Sequence, residues 1–337
     1  MFSLFATRIG SGTGVSHPKQ PPQTTIVPLR PWRNPVRFGG LVKEKPDVSE
    51  GRFLCPVCRE TISPVWSWVG RCSGCGFWIS SLTSGSGADV GGLESLRRYN
   101  FKSLLDRVLS SWPDIRSGAI LEVGCAQGLF LDAATGRGLK CVAIEPDITA
   151  AADAVKRGHA VITGLFPDAC PPEQTFTAIV FNDVFEHLPD PASAVEHCRA
   201  RLTTDGLLII NLPSSGGIFF RIALALATFG IKAPFERLWQ KDLSSPHLSY
   251  FSPANLRRFI EDRGFKQIDQ FSLDSLHVTG LWQRLRTTSS VLSASLMAPP
   301  LAALSLICRL LPPDIHVAVF RVSAVCGAPQ AGAGISR

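Results

Sequence analysis

Short apolar runs alternate with amphipathic segments along most of the chain. From residue 119 onward the runs have the length of buried strands, and the segments between them repeat apolar residues at helical spacing. The runs predict seven strands. The first begins at residue 119, and the other six cover 139–145, 161–163, 177–181, 207–212, 266–273 and 316–325. This alternation predicts an α/β fold, a doubly wound and mostly parallel sheet with ligands at the carboxyl ends of its strands.

Capping residues predict where several helices begin and end. Apolar residues at helical spacing between 101 and 112 predict a helix before the first strand. Asp190 followed by proline predicts a helix start, and Gly206 is expected to close that helix. Ser252, also followed by proline, predicts a helix that stops at Gly264.

Shifts in composition divide the chain into segments. Serine and glycine dominate the stretch between the cysteine-rich start and the first long helix, which is typical of a linker. The predicted division is a disordered basic tail (1–48), a four-cysteine module (49–80), a linker (81–93), the α/β domain (94–327, with apolar insertions at 214–246 and 284–313) and a disordered tail (328–337).

The net charge of +7 lies almost entirely in the first 43 residues, which hold six basic and no acidic side chains. The rest of the chain is close to neutral, so we expect no nucleic-acid partner. A basic start without acids is typical of a disordered tail or of an organelle transit peptide. Ten cysteines in a chain without a recognisable export signal predict a reducing compartment, the cytoplasm.

Four cysteines form two closely spaced pairs. Cys55 and Cys58 are separated by two residues, as are Cys72 and Cys75, and thirteen residues lie between the pairs. This spacing predicts a structural Zn²⁺ bound by four thiolates in a zinc-ribbon-like module, with the metal supplying much of its folding energy. Unliganded cysteines or a redox pair are the alternatives. Residues 65–69, between the pairs, are expected to form one short strand that covers the metal.

A turn of small residues follows the first predicted strand and raises the question of its ligand. The turn has no Gly-Lys-Ser/Thr ending, which a phosphate-binding loop would need. Ala126 and Leu129 stand where a dinucleotide fingerprint has glycine, which favours a ligand without a pyrophosphate. Glu145 lies 21 residues after Gly124, the spacing at which a carboxylate reaches ribose hydroxyls. A ribose without a pyrophosphate points to S-adenosylmethionine.

Over residues 94–325 the sequence resembles the class I S-adenosylmethionine-dependent methyltransferases, most closely the bacterial branch that modifies small molecules, sugars, quinones and lipids. Some members of that branch carry a four-cysteine pair of knuckles before the enzyme domain. The resemblance implies a Rossmann-like methyltransferase fold. It rests on the segments "LEVGCAQGLF", "AIEPD", "FTAIVFNDVFEHLPDP", "GLLIINLPS" and "HLSYFSPANLRRFIEDRGF".

The resemblance also implies which residues bind S-adenosyl-L-methionine, the methyl donor. The turn would pass close to the methionine and ribose portions, Glu145 would hold the ribose hydroxyls, Leu165 would flank adenine and Asn182 would face the methionine end. Ala126 replaces a glycine that is usual in the family, which narrows the room beside the methionine moiety. The full set of implied cofactor-binding residues is Glu122, Gly124, Ala126, Gly128, Glu145, Leu165 and Asn182.

Acidic and histidine side chains follow the fourth predicted strand. Asp183, Glu186 and His187 are expected to share one face of a helical turn beside the donor methyl. His187 is the candidate general base toward an acceptor hydroxyl, with Glu186 beside it. Alternatively the three side chains hold a divalent metal, or Glu186 and His187 only brace the sheet. His247 is a further candidate base on the far side of the pocket.

Two unusually apolar segments, 217–231 and 289–311, flank the expected acceptor opening. They predict a lid over a hydrophobic acceptor or contact with a membrane. The second is long enough to span a bilayer, but prolines at 299–300 and five serines argue against a span. We expect two short helices that cover an apolar acceptor or touch a membrane surface reversibly; burial on the flank of the domain is the alternative.

The sequence therefore predicts an S-adenosylmethionine-dependent methyltransferase that acts on a small-molecule, sugar or lipid-like acceptor, with O-methylation favoured. Two alternatives come from other classes. One is a nucleic-acid or protein methyltransferase that uses the zinc module for recognition, which the sparse basic residues of that module disfavour. The other is a non-catalytic adaptor that retains the cofactor site, which the intact order of motifs disfavours.

Overall fold

The computed structural model describes residues 53–83, 94–275 and 310–323, together with seven isolated positions between 291 and 303. Runs of apolar and β-branched residues form the strands in these parts of the chain. They are β1 Ile62–Trp66, β2 Val69–Cys72, β3 Trp78–Ser80, β4 Ala119–Val123, β5 Lys140–Glu145, β6 Ala160–Thr163, β7 Phe176–Asn182, β8 Leu202–Pro213, β9 Ser249–Tyr250, β10 Phe265–Leu273 and β11 Ile315–Val322.

Within the described residues, seven strands form the main sheet in the order β10-β11-β8-β7-β4-β5-β6. The strands from β8 to β6 pair in parallel, and β11 is antiparallel to both of its neighbours. The chain winds outward from β4 in one direction and then continues through β7 on the other side, so the winding reverses between β4 and β7. In such sheets ligands bind at the carboxyl ends of the strands beside this reversal. The predicted doubly wound α/β fold is confirmed.

Helices cover both faces of this sheet. As the sequence predicts, the side chain of Asp190 caps one helix, and Ser252 and Asn255 form a capping box at another. The helices of the described residues are α1 Glu94–Ser111, α2 Leu129–Thr135, α3 Ile148–Lys156, α4 Pro191–Arg201, α5 Ile218–Thr228, α6 Ala233–Leu238 and α7 Pro253–Glu261, with 3-10 helices at Pro113–Ser117 and Phe185–His187.

Two buried clusters sandwich the sheet. On one face α1 and α2 pack against the central strands, and the rings of Phe101 and Phe130 meet edge to face at 5.7 Å. On the other face Phe185 and Phe259 pack against side chains from β7 and β8, with 6.3 Å between their ring centroids. Each fully buried side chain of this size stabilises the fold by about 1.5–3 kcal/mol. Both clusters fix the strand ends that carry the site.

Two local predictions are wrong. The helix α4 ends at Arg201 rather than at Gly206, because Leu202 is already extended and pairs with Phe176 as the first residue of β8. Residues 65–69 do not form one strand. They hold the end of β1, a two-residue turn and the start of β2, with Trp66 paired to Val69 across the turn.

The four-cysteine segment folds onto the α/β domain. Its strands β1, β2 and β3 form an antiparallel sheet, and β9 from the α/β domain joins that sheet as the fourth strand. Phe77 packs against Phe251 with 4.8 Å between ring centroids. The side chains of Cys55 and Cys72 belong to the same buried cluster as the face of the main sheet. The module and the domain therefore share one core.

The apolar segment 217–231 contributes α5 to this junction. Phe220, Ala223 and Ala227 are buried at helical spacing against Trp78 and Trp239. The same segment exposes three large apolar side chains, Ile222 on α5 and Phe229 and Ile231 after its end. The predicted helix pair at 289–311 lies almost wholly outside the described residues. In the part of the chain that the structure describes, no helix is long and apolar enough to cross a bilayer.

Candidate active site

The turn after β4 has a backbone that requires small residues. Gly124, Ala126 and Gly128 have φ values of 74°, 45° and 83°, in the left-handed region. A Cβ atom on Gly124 would lie 2.5 Å from a methyl group of Val184, which is closer than packing permits. Glycine at position 124 therefore lets the backbone of the turn lie close against Val184, just after β7.

Glu145, the last residue of β5, is hydrogen-bonded to this turn. The amide of Ala126 donates to its Oε2 at 2.8 Å, and the amide of Asp147 donates to its Oε1 at 2.9 Å. Burial raises the pKa of Glu145, and these two amides partly offset that rise. An ionised carboxylate has about four lone-pair positions, so each oxygen can still accept a bond from a ligand.

Glu122 lies inside β4 and is almost fully buried. Its Oε1 accepts a hydrogen bond from Nδ2 of Asn182 at 3.0 Å, and Asn211 in turn donates to Asn182 at 3.5 Å. Its Oε2 has no hydrogen-bond partner among the described residues. Burial raises the pKa of Glu122 to about 8, with a further rise from the charge of Glu145. A buried carboxylate oxygen without a partner marks a place for a donor or cation that the chain does not supply.

The structure brings the predicted cofactor residues to one edge of the sheet. Glu122, Glu145 and Asn182 lie at or near the carboxyl ends of β4, β5 and β7, on both sides of the winding reversal. Leu165 follows β6, and 59% of its surface is exposed. An exposed leucine beside this edge offers an apolar surface to a flat ring.

Glu186, His187 and His247 form a compact cluster beside this edge. Oε1 of Glu186 lies 4.0 Å from Nε2 of His187 and 4.0 Å from Nε2 of His247. The ligand atoms of the three side chains all lie within 4.8 Å of one another. The two imidazole rings meet edge to face at 4.7 Å. The cluster joins the 3-10 helix after β7 to the loop before β9.

Hydrogen bonds set the orientation of both imidazole rings. Nδ1 of His187 donates to the carbonyl of Pro246 at 2.9 Å, which leaves Nε2 as its basic nitrogen. Nε2 of His247 lies 3.1 Å from the amide nitrogen of Gln240. Burial lowers the pKa of His247 well below its usual range, and burial also raises the pKa of Glu186 well above its own. Oε2 of Glu186 has no hydrogen-bond partner in the described parts of the chain.

Asp183 does not share a helical face with Glu186 and His187. Its φ is 54°, and the 3-10 helix begins only at Phe185, so a continuous helical turn over 183–187 does not form. The carboxylate of Asp183 lies 4.0 Å from the guanidinium of Arg97. The compact cluster consists of Glu186, His187 and His247, and the charge of Asp183 adds to the rise in the pKa of Glu186.

The four predicted metal-binding cysteines converge. The Sγ atoms of Cys55 and Cys75 are 3.6 Å apart, and those of Cys58 and Cys72 are 3.3 Å apart. Four thiolates about 2.3 Å from a tetrahedral Zn²⁺ would be about 3.8 Å from one another. The amide of Val57 points at Cys55 Sγ, an arrangement that stabilises a thiolate. The donor set and its spacing fit a Zn²⁺ ion.

Sequence reasoning missed a group of side chains that supports the glycine turn and helix α2. Arg157 donates to the carbonyl of Gln127 at 3.1 Å and pairs with the carboxylate of Asp132. Asp132 also accepts from Arg98 at 3.1 Å and contacts His159 at 2.8 Å. Arg98 lies on α1 and Asp132 on α2, whereas Arg157 and His159 follow the end of α3, and no spacing in the sequence links them.

The doubly wound sheet, its antiparallel strand β11 and the acid-lined glycine turn define a Rossmann-like α/β protein with a site at the winding reversal. Residues 94–270, more than half of the chain, match the family model described as a methyltransferase domain. The chain belongs to this family. The resemblance to class I S-adenosylmethionine-dependent methyltransferases is confirmed.

Curated relatives share part of this domain. A ubiquinone biosynthesis O-methyltransferase of Actinobacillus pleuropneumoniae serotype 7 is 32% identical over 106 residues, which are 27% of this chain and 44% of that protein. The one from Colwellia psychrerythraea is 24% identical over 170 residues, 48% of this chain and 66% of that protein. The chain thus spans less than half the length of the first of these relatives.

The chain is also similar to solved structures. A crystal structure of a SAM-dependent methyltransferase from Archaeoglobus fulgidus is 16% identical, with a TM-score of 0.44, and covers 68% of this chain and 97% of that one.

Proposed function

We propose that this chain binds S-adenosyl-L-methionine and methylates a hydroxyl group of a small-molecule, sugar or lipid-like acceptor. The observation that carries the proposal is the pair of buried carboxylates, Glu122 and Glu145, at the ends of neighbouring strands beside the glycine turn. Family membership supports it, as does the name of the relatives, ubiquinone biosynthesis O-methyltransferase.

The site residues fit this cofactor by chemistry. Glu145 would accept hydrogen bonds from the ribose hydroxyls with the lone pairs that Ala126 and Asp147 leave open. The unpartnered Oε2 of Glu122 would accept from the ammonium group of the methionine portion, whose positive charge would favour the ionised form of this carboxyl. Leu165 would flank the adenine ring. When bound, S-adenosylmethionine supplies a methyl group already activated on a sulfonium.

His187 is the proposed general base. Its Nδ1 donates to the carbonyl of Pro246, so Nε2 is the nitrogen that takes the proton of the acceptor hydroxyl. Oε1 of Glu186 lies 4.0 Å from this nitrogen. A base so oriented contributes about 10²–10⁴ in rate.

A second candidate role for the cluster is to bind a divalent cation. Three donor atoms face one another without direct hydrogen bonds, and the buried Oε2 of Glu186 has no partner among the described residues. Glu186, His187 and His247 would be the ligands, and a cation there would lower the pKa of an acceptor hydroxyl. Restored activity on adding Mg²⁺ or Zn²⁺ to chelated enzyme would favour this role over a metal-free base.

For the four-cysteine module we propose a structural zinc. This proposal is supported by the convergence of four thiols, from Cys55, Cys58, Cys72 and Cys75. Four protein ligands complete a tetrahedral site, so no coordination position remains for a substrate. A reversible contact of 289–311 with a membrane surface stays a proposal, since that segment lies almost wholly outside the described residues.

A transfer assay with labelled methyl donor tests the proposed function. S-adenosylmethionine labelled at the methyl group is incubated with a catechol-type phenol, a sugar, a long-chain quinol, an RNA and a protein mixture. We expect label on a small-molecule or lipid-like hydroxyl, which His187→Ala reduces and the matched control His197→Ala leaves unchanged, because His197 is exposed on α4. Label on RNA or protein alone would contradict the proposed acceptor class.

A further inference from the structure

The cysteine module reaches the catalytic cluster through one strand. Strand β3 directly follows the knuckle of Cys72 and Cys75, and it pairs with β9 through Trp78 to Tyr250 and Ile79 to Ser249. Strand β9 follows His247 by one residue. A strand at the edge of the module thus runs beside the segment that supplies a member of the cluster.

Ser80, the last residue of β3, is buried and makes two hydrogen bonds to that segment. Its Oγ donates to the carbonyl of His247 at 2.9 Å, and its amide donates to the carbonyl of Leu248 at 2.9 Å. On the other side, the amide of Leu248 donates to the carbonyl of Glu186 at 2.8 Å. Residues 247 and 248 are therefore held between the module and the 3-10 helix that carries Glu186 and His187.

This support matters because the segment before β9 lacks regular structure of its own. Between α6 and β9 the backbone forms turns and bends, and its order depends on bonds to neighbouring elements. The amide of His247 also donates to the carbonyl of Trp239 at 3.0 Å, so the hydrogen bond from the module is one of two that hold the backbone of this residue in the described parts of the chain. Without Ser80 the carbonyl of His247 would be buried without that partner, and the ring would lose part of its fixed position.

The knuckle fixes the start of β3. The amide of Cys72 donates to the carbonyl of Phe77 at 2.8 Å, and the amide of Gly76 donates back to the carbonyl of Cys72 at 3.2 Å. The ring of Phe77 packs on Phe251, directly after β9. A Zn²⁺ ion held by the four thiolates would order this knuckle, and through it β3 and the segment that β3 holds.

We infer that the four-cysteine module is a positioning element of the active site, in which Ser80 at the end of β3 holds His247 against Glu186. The inference rests on the proposed function, which places His247 in the catalytic cluster. It gives the module a role that needs neither nucleic acid nor a protein partner. Ser80 touches no reacting group in this scheme and acts through His247.

The test compares two adjacent serines in the full-length protein. Ser80→Ala removes the bond to His247, Ser80→Thr keeps a hydroxyl, and Ser81→Ala is the matched control because Ser81 Oγ donates weakly to Trp68 at 3.4 Å instead. Histidine ring signals are followed by nitrogen-15 NMR at fixed pH, with the His247 signal assigned from a His247→Gln variant. Calorimetry measures the binding of S-adenosylmethionine to each variant.

We expect Ser80→Ala to shift or broaden the His247 signal and to lower kcat for the best labelled acceptor by about twofold to tenfold, the value of one hydrogen bond. Cofactor affinity should stay within twofold, Ser80→Thr should restore the signal, and Ser81→Ala should match the unmodified protein. An unchanged His247 signal in a folded Ser80→Ala variant would overturn the inference. Absence of cofactor binding in the unmodified protein would instead overturn the proposed function, so the two failures are distinguishable.

Discussion

Replacing Glu145 with glutamine should weaken cofactor binding without unfolding the protein. Glu145 accepts one backbone amide on each oxygen, from Ala126 and from Asp147. A glutamine keeps the shape but offers only one acceptor oxygen, so its amide group would face one of these two donors. The change therefore removes both the charge offered to the ribose hydroxyls and part of the support of the glycine turn.

The magnitude follows from the kind of bond that is lost. A hydrogen bond to a charged group contributes about 1.5–3 kcal/mol, which corresponds to about a 10- to 150-fold rise in Kd. The folded state should tolerate the change, since burial raises the pKa of Glu145 and an uncharged side chain removes that desolvation cost. The affinity for the cofactor is thus expected to fall, while the stability of the ligand-free protein is expected to be retained.

Titration calorimetry with S-adenosylmethionine measures the effect, and thermal unfolding without ligand reports the stability of each protein. Asp153→Asn is the matched control, because Asp153 lies on α3 and its carboxylate pairs with Lys156 near the surface, at 2.9 Å. Equal affinity of the Glu145→Gln variant and the unmodified protein would refute the assignment of Glu145 to the ribose. Equal losses of cofactor affinity in the Glu145→Gln and Asp153→Asn variants would show that the effect comes from the loss of one negative charge rather than from a contact of Glu145.

Three further predictions concern the other groups of the site. Cys75→Ser should abolish the single zinc found by elemental analysis, while Cys170→Ser outside the cluster should retain it; full zinc in the first variant would argue against the site. His187→Ala should lower turnover by about 10²–10⁴ and leave cofactor affinity nearly unchanged, and normal turnover would make His187 structural. Burial raises the pKa of Glu122 to about 8, so the folded state binds a proton that the unfolded state has already lost above about pH 5. The ligand-free protein should therefore lose stability as pH rises from about 5 to about 8. This group contributes up to about 1.4 kcal/mol per pH unit to the free energy of unfolding. Glu122→Gln should reduce this slope in denaturant titrations, and an unchanged slope would contradict the burial of an ionisable group there.

Local patterns predicted the elements that position the site, because short-range physics decides them. The apolar run at 119–121, the caps at Asp190 and Ser252, and the small residues of the glycine turn act within a few positions of one another. Gly206 misled the prediction of where α4 ends. The helix stops four residues earlier, because Leu202 already pairs with Phe176 in the neighbouring strand.

Contacts between distant parts of the chain could not be read from the sequence. The hydrogen bond from Ser80 to His247 joins positions 167 residues apart, and no pattern in the sequence links the two residues. The exchange of Asp183 for His247 in the cluster also depends on the third dimension, because a positive φ at Asp183 ends the helical face that the spacing suggested.

Calorimetry of the unmodified protein with S-adenosylmethionine tests the central claim most directly, since it needs no knowledge of the acceptor. The account predicts one bound cofactor per chain, with binding lost or strongly weakened when Glu122 and Glu145 are both replaced by glutamine. No heat of binding and no thermal stabilisation by S-adenosylmethionine or S-adenosylhomocysteine would contradict it.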